Sequence, residues 1–60
     1  MKQKKFYAEL LAAGCRIVRH GANHDIWYSP ITGNQWAIPR HGSHEVPTGT
    51  ERKARKMLGV

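Results

Sequence analysis

Cysteine, acidic residues and long apolar runs are all scarce in this 60-residue chain. Its one cysteine, Cys15, excludes an internal disulfide, and we expect it to be a buried thiol in a reducing compartment. No apolar run approaches the roughly 20 residues that span a bilayer. The chain starts Met1-Lys2-Gln3-Lys4-Lys5, which lacks the apolar stretch of a secretion signal. The sequence therefore predicts a cytoplasmic protein without a membrane association.

Positive charge is what the chain has in excess. Ten Lys and Arg residues against four Asp and Glu residues give a net charge of +6. On so small a surface this density favours polyanionic partners, although charge also serves solubility alone. We expect residues 1–60 to form a single domain. A chain of this length buries only about 60% of the surface that it exposes when unfolded, which leaves too little core for a second domain. Charge does not distinguish RNA, DNA and membrane lipid, so motifs must decide.

The first half of the chain predicts a helix followed by a β-hairpin. Apolar residues recur at helical spacing from Lys2 to Ala13, and Gly14 is a suitable helix terminator. Residues 15–20 and 24–28 are rich in β-branched and aromatic side chains, which is typical of strands. The segment Gly21-Ala22-Asn23 between them predicts a short turn.

The second half predicts one more strand and one more helix. Residues 35–38 form the third strand, which Pro39 ends or places at an edge. After a polar loop, Thr48-Gly49-Thr50-Glu51 matches a capping box, and the helix that it opens should end at Gly59. The order α-β-β-β-α predicts an α+β fold, with a three-stranded antiparallel sheet, both helices on one face and the other face open.

His24 is the strongest candidate for chemistry among the four histidines, because it opens a strand directly after a tight turn. Histidine titrates near neutral pH, and RNA cleavage needs a base that takes the proton of the ribose 2′-hydroxyl. A surface or packing role for His24 is the alternative. Strand alternation places Ile26 and Tyr28 on its face of the sheet, and Asp25 and Trp27 on the other. Both faces are bulky, so the sequence leaves open which one the helices cover.

Several basic side chains are candidate RNA contacts, and a solvated surface is the alternative for those on helices. They are Lys5, Arg40, His41, Arg52 and Lys53. We expect Arg40 and His41 to lie near the reacting phosphate, where positive charge stabilises the transition state. Gly21 and Asn23 should shape the turn that positions His24. The rings of Trp27, Tyr28 and Trp36 either stack on bases or pack in the core.

Metal binding is a weaker interpretation of the same histidines. His20 and His24 flank the first turn, and His41 and His44 lie close together in a later loop. The sequence has neither a Cys-x-x-Cys nor a His-Glu-x-x-His pattern, which zinc sites commonly show. We therefore predict no metal and no cofactor.

Three short segments, taken in order and at their spacing, resemble a known family. They are Gly21-Ala22-Asn23-His24, then Ile38-Pro39-Arg40-His41, then Pro47-Thr48-Gly49-Thr50 running into Leu58-Gly59. Together they look like the HicA toxins. The resemblance implies a double-stranded-RNA-binding-like fold, cleavage of messenger RNA without a metal or cofactor, and His24 as the catalytic histidine. It also implies a HicB-type antitoxin that covers the site, with oligomers only through that complex. The chain departs from the family pattern at Ala22, where serine is usual.

Two other functions compete with that of a ribonuclease toxin. A noncatalytic double-stranded RNA-binding module would have the same fold, size and basic second helix, and would contact about 16 base pairs. A small DNA-binding protein would show a steep salt dependence of duplex binding. The sequence contains no recognition-helix pattern in support of the latter.

Overall fold

The computed structural model describes residues 1–40 and 45–60, and it confirms the predicted order of elements. The elements are α1 (Gln3–Ala12), β1 (Arg16–His20), β2 (His24–Tyr28), β3 (Gln35–Pro39) and α2 (Thr48–Leu58). His41, an expected RNA contact, lies outside the described residues, as does His44. Among the described residues, no helix has the length and apolar character needed to cross a membrane.

The sheet is an antiparallel meander in the order β1-β2-β3, with β2 in the centre. His20 of β1 pairs with Asp25 of β2, and His24 pairs with Pro39 of β3. The register of β1 against β2 shifts at Val18, which bulges out of the ladder and is 48% exposed. The pairing brings the end of β1, the start of β2 and the end of β3 to one end of the sheet.

The helices cover the face of the sheet that carries Asp25 and Trp27. Both residues are buried, whereas His24, Ile26 and Tyr28 are only partly buried. The buried apolar core consists of Phe6, Leu10, Cys15, Trp27, Ile38, Val46, Ala54 and Leu58. Both helices contribute to it, which confirms that they share one face. The question that strand alternation left open is thereby answered, because His24 lies on the open face.

The end of α1 follows the predicted chemistry. Gly14 adopts a φ of 92°, and the Cys15 N–H donates to the Leu10 carbonyl at 2.9 Å while the Gly14 N–H donates to that of Leu11 at 3.0 Å. This is the Schellman pattern, which needs a left-handed residue where glycine stands. Cys15 is then directed into the core, where it is a buried free thiol as expected.

The capping box expected at the start of α2 is wrong. Pro47 is the N-cap residue, and no side-chain capping hydrogen bond occurs there within the described residues. Glu51 instead accepts a hydrogen bond from Arg55 Nε at 2.8 Å. Arg55 Nη2 also donates to Glu9 of α1 at 2.8 Å, and its guanidinium lies 5.1 Å from the ring centroid of Phe6. We call Glu9, Glu51, Arg55 and Phe6 the Arg55 cluster. The box does not form because Pro47 and not Thr48 is the N-cap residue, and the Glu51 side chain bonds to Arg55 instead.

The aromatic side chains divide between core and surface. Trp27 is fully buried and packs edge-on against Tyr7 with 4.8 Å between the ring centroids. Trp36 is partly buried, and Lys53 Nζ lies 5.8 Å from its ring centroid. Tyr28 is partly buried on the open face. Trp27 is therefore a core residue and has no surface on which a base can stack.

Candidate active site

His24 is held at the tip of the β1–β2 hairpin. The Gly21 N–H donates to the His24 carbonyl at 2.7 Å and closes the two-residue loop Ala22-Asn23. A Cβ at Gly21 would stand 3.0 Å from His24 Nε2 and 3.1 Å from Cε1, so the imidazole packs over the bare Cα of Gly21. The φ of Gly21 is not positive. A side chain at position 21 would make the imidazole give by a few tenths of an ångström, so glycine serves here through its small size and not through its conformational freedom.

Arg40, which directly follows β3, holds the same turn from the other side. Its Nη2 donates to the Gly21 carbonyl at 2.6 Å and to the Ala22 carbonyl at 2.8 Å. The Arg40 N–H donates to the Asn23 carbonyl at 2.9 Å. All three turn carbonyls are therefore bonded to one residue. Asn23 contributes to the turn through this main-chain bond.

Asp25 anchors Arg40 from beneath the helices. Its carboxylate is only 4% exposed and accepts three hydrogen bonds, from Arg40 Nη1 at 2.7 Å, His20 Nδ1 at 2.8 Å and Tyr7 Oη at 2.8 Å. We call Tyr7, His20, Asp25 and Arg40 the Asp25 cluster. It joins α1, β1, β2 and the residue after β3 around one buried charge.

The Asp25 cluster shifts two pKa values. Burial acts to raise the pKa of Asp25, but hydrogen bonds from His20 and Tyr7 and the positive charge of Arg40 outweigh it, so that the net pKa is lowered. Burial raises the pKa of Tyr7, and its hydrogen bond to Asp25 acts in the same direction. At neutral pH the carboxylate is charged and the phenol is its donor.

Sequence reasoning missed the Asp25 cluster. The sequence presents His20 only as a possible metal ligand, and Asp25 only as one of a few scattered acids. The usable signal is strand alternation, which places Asp25 on the opposite face from the neighbouring His24. An acidic residue on a helix-covered face requires partners. What the alternation does not show is which residues supply them.

The remaining predicted site residues are exposed and dispersed. Lys5 lines a surface groove between the amino-terminal half of α1 and Arg40. Arg52 and Lys53 are exposed on α2, with Lys53 beside Trp36. Arg55, by contrast, is engaged within the Arg55 cluster. The structure brings Gly21, Asn23, His24 and Arg40 together, and it places Arg52 and Lys53 on a separate helix.

The described residues contain no group of three or more His, Cys, Asp or Glu side chains arranged to hold a metal ion. His20 and His24 flank the same turn but lie on opposite faces of the sheet, because His20 bonds to Asp25 on the covered face. Within the described part of the chain they are therefore not members of a metal-ligating group. The later histidines, 41 and 44, lie outside it.

Comparison with known protein families decides the identity. The family model of the HicA toxin of bacterial toxin–antitoxin systems matches residues 4–60, which is nearly the whole chain. The chain belongs to the HicA toxin family. The predicted resemblance is thereby confirmed, and the hairpin tip with His24 belongs to the matched region of this HicA toxin. No curated protein and no solved structure matches significantly.

Proposed function

We propose that this HicA toxin is a metal-independent endoribonuclease that cleaves messenger RNA with His24 as its general base, and that a HicB-type antitoxin neutralises it. One observation carries the proposal: the His24 imidazole lies on the open face of the sheet, packed over Gly21 at a turn whose three carbonyls are bonded to Arg40. A base held in this way stands at a fixed place that a substrate can reach.

The proposed step uses a nucleophile that RNA carries itself. A ring nitrogen of His24 takes the proton of a ribose 2′-hydroxyl, and O2′ attacks the adjacent phosphorus. The P–O5′ bond breaks, which leaves a 2′,3′-cyclic phosphate on one fragment, and on the other an O5′ that becomes a 5′-hydroxyl when it gains a proton. Proton transfer by a positioned side chain contributes typically about 10²–10⁴-fold to such a rate. The reaction requires no metal-activated water, because no water attacks in this step.

Arg40 serves the proposed reaction in two ways. Its guanidinium contacts to Asp25 and the turn use three of its five N–H donors. Counted over the described residues, two N–H donors are left for a phosphate. The first role is positioning of the His24 turn. The second is electrostatic, because its charge lies beside the place where a phosphate would meet His24. The Asp25 carboxylate keeps this guanidinium in place.

The positive surface supplies affinity for the RNA backbone. Lys5, Arg52 and Lys53 are all exposed, as phosphate contacts require. The net charge of +6 attracts the substrate at long range, and each neutralised phosphate releases counterions. We expect binding by these side chains to be independent of the chemistry at the hairpin tip. This function places the protein in the cytoplasm, where messenger RNA is found.

The test measures RNA cleavage by the purified wild-type protein, a His24→Gln variant and a Leu11→Gln control in EDTA. Leu11 is 59% exposed on α1, so its replacement leaves the core and the hairpin tip untouched. Wild type and the control should cut messenger RNA at the same rate, and His24→Gln should lose about 10²–10⁴-fold. Undiminished cleavage by His24→Gln would overturn the assignment, and loss of wild-type activity in EDTA would overturn metal independence.

Two added arms separate this function from its competitors. RNA affinity is measured for the same proteins, and a noncatalytic double-stranded RNA-binding module would bind duplex RNA without producing fragments. A HicB-type antitoxin added to the wild-type protein should stop cleavage in proportion to its amount. Cleavage that continues at saturating antitoxin would contradict the partner that we propose.

A further inference from the structure

His20 and Asp25 form a hydrogen-bonded pair, and the reaction proposed above gives His20 no role. The carboxylate is 4% exposed, whereas the His20 side chain is 70% exposed. An ionised carboxylate only accepts hydrogen bonds, so the 2.8 Å contact between His20 Nδ1 and Asp25 Oδ1 places a proton on Nδ1. The ring is therefore held through Nδ1, and its other nitrogen, Nε2, stays available on a side chain that is 70% exposed.

We infer that His20 is a second proton-transfer residue, the general acid that protonates the leaving O5′, with Asp25 as its positioning residue. This inference rests on the proposed ribonuclease function and deepens it. Cleavage of the P–O5′ bond expels an alkoxide, which is a poor leaving group until it gains a proton. The proposed role of His24 accounts for the 2′-hydroxyl proton, but it supplies no proton at O5′ in the same step.

The placement of the two histidines suits this division of labour. In an in-line displacement, O2′ enters and O5′ leaves on opposite sides of phosphorus, so the base and the acid must approach from opposite sides. His24 lies on the open face, and His20 lies on the covered face beside Asp25. Both flank the loop Ala22-Asn23, which the Gly21–His24 hydrogen bond closes. We place the scissile phosphate at this hairpin tip, next to Arg40.

The proton balance is complete with these two groups. The cationic His20 donates from Nδ1 to Asp25 and from Nε2 to O5′, and it becomes a neutral imidazole that keeps its Nδ1 proton. His24 gains the proton of O2′ as O2′ forms its bond to phosphorus. Water then exchanges one proton with each ring and restores the starting state. The Asp25 carboxylate accepts the hydrogen bond of the Nδ1 proton and so fixes the tautomer and the orientation of the ring, as buried carboxylates do for other catalytic histidines.

A structural role for His20 makes a different prediction from a role as the acid. The His20 side chain is largely solvent-exposed. Its hydrogen bond to Asp25 is one of three that the carboxylate accepts. Removal of a merely structural hydrogen bond would reduce cleavage of every substrate alike. Removal of a general acid matters only when the leaving group needs a proton.

The experiment uses one RNA oligonucleotide with a mapped cleavage site, made with the ordinary bridging O5′ and with sulfur in its place. A thiolate leaves without protonation, because the pKa of a thiol is about 8.5. Single-turnover rates are measured for wild type, His20→Gln, His24→Gln and the Leu11→Gln control. His20→Gln should cut the ordinary RNA about 10²–10⁴-fold more slowly and the sulfur-bridged RNA at a rate close to that of wild type. His24→Gln should be slow on both.

The outcomes distinguish a failure of the role proposed for His20 from a failure of the proposed ribonuclease function. If wild type cuts ordinary RNA and His20→Gln cuts it equally fast, or loses the same factor on both substrates, His20 is not the acid while the ribonuclease function stands. If wild type cuts neither substrate, the proposed function and this inference fall together. Circular dichroism of each variant at the assay temperature verifies that all rates refer to folded protein.

Discussion

The molecule contains two charged clusters that look alike in composition and differ in arrangement. In the Arg55 cluster a guanidinium sits between two carboxylates and over Phe6, with Glu9 40% and Arg55 28% exposed. In the Asp25 cluster the order is reversed, because a carboxylate that is 4% exposed lies among a phenol, an imidazole and a guanidinium. The first cluster links α1 to α2, and the second links α1 to the hairpin tip.

The difference lies in which partner reaches solvent. In the Arg55 cluster the central group is the cation, and its contacts hold two helices together. In the Asp25 cluster the central group is buried, and His20, at 70% exposed, extends outward from it. A buried charge with an exposed titratable partner is an arrangement suited to proton transfer. This difference supports the proposal that the chemistry takes place at the hairpin tip, while the Arg55 cluster holds the two helices together.

We expect the largest change in the rate of RNA cleavage from Gly21→Ala, which alters the hairpin tip. The added methyl would lie 3.0 Å from His24 Nε2, so the ring must give by a few tenths of an ångström; because a misplacement of about 1 Å costs about 10²-fold in rate, we expect cleavage to fall by up to about 10²-fold. The matched control is Gly49→Ala on α2, where a Cβ meets open space and should raise the free energy of unfolding by about 0.5–1 kcal/mol. Rates of RNA cleavage and urea unfolding curves give both quantities. Equal activities of the two variants would break the assignment.

The next effect compares the central acid of one cluster with a peripheral acid of the other. Asp25→Asn removes the charge that three donors share and should lower the free energy of unfolding by about 1.5–3 kcal/mol. Glu9→Gln affects an ion pair that is partly exposed, and should cost about 0.2–1 kcal/mol. Urea unfolding followed by the fluorescence of the two tryptophans, the buried Trp27 and the partly buried Trp36, measures both. A larger loss for Glu9→Gln would reverse the ranking of the clusters.

The stabilising effect of Asp25 should also depend on pH in a definite direction. The folded pKa of Asp25 lies below its ordinary value of about 3.9, so its stabilising contribution is complete above that pH and is lost as the pH falls through the folded pKa. The gap in unfolding free energy between wild type and Asp25→Asn should therefore shrink below about pH 3.9. Urea unfolding at a series of pH values tests this. A gap that widens on acidification would contradict the lowered pKa.

The smallest effect concerns the basic residues of α2. Arg52 and Lys53 are exposed, and their joint replacement by Gln should lower the salt dependence of single-stranded RNA binding by about 0.7 for each phosphate that they neutralise. Arg55→Gln on the same helix should leave that slope unchanged and reduce stability instead, because Arg55 is bound by Glu9 and Glu51. Binding titrations from low to moderate salt provide the slopes. An equal change for both variants would show that exposure does not separate the two roles.

Local patterns in the sequence were sufficient to predict the order of elements and the position of His24. Helical periodicity, the turn at residues 21–23 and the glycine at 14 each act within a few neighbouring residues. The covered face of the sheet was beyond such reasoning, because both faces of β2 carry bulky side chains. Packing of Trp27 against Tyr7 and the helices decides it.

The parts that sequence could not supply depend on contacts between distant residues. The Asp25 cluster joins positions 7, 20, 25 and 40, and no local pattern shows that their side chains meet. Arg40 was predicted as a phosphate contact, and its bonds to the turn carbonyls appear only in three dimensions. The prediction of a capping box failed because the N-cap residue is Pro47 and not Thr48, and because Glu51 bonds to Arg55.

In the proposed reaction, the RNA strand breaks through its own 2′-hydroxyl once His24 has taken its proton. The most direct measurement uses an RNA oligonucleotide that the protein cuts, beside the same sequence with every ribose 2′-O-methylated. We expect the methylated strand to be bound but to stay intact, and the fragments of the unmodified strand to end in a 2′,3′-cyclic phosphate. Cleavage of the methylated strand at the rate of the unmodified one would contradict it.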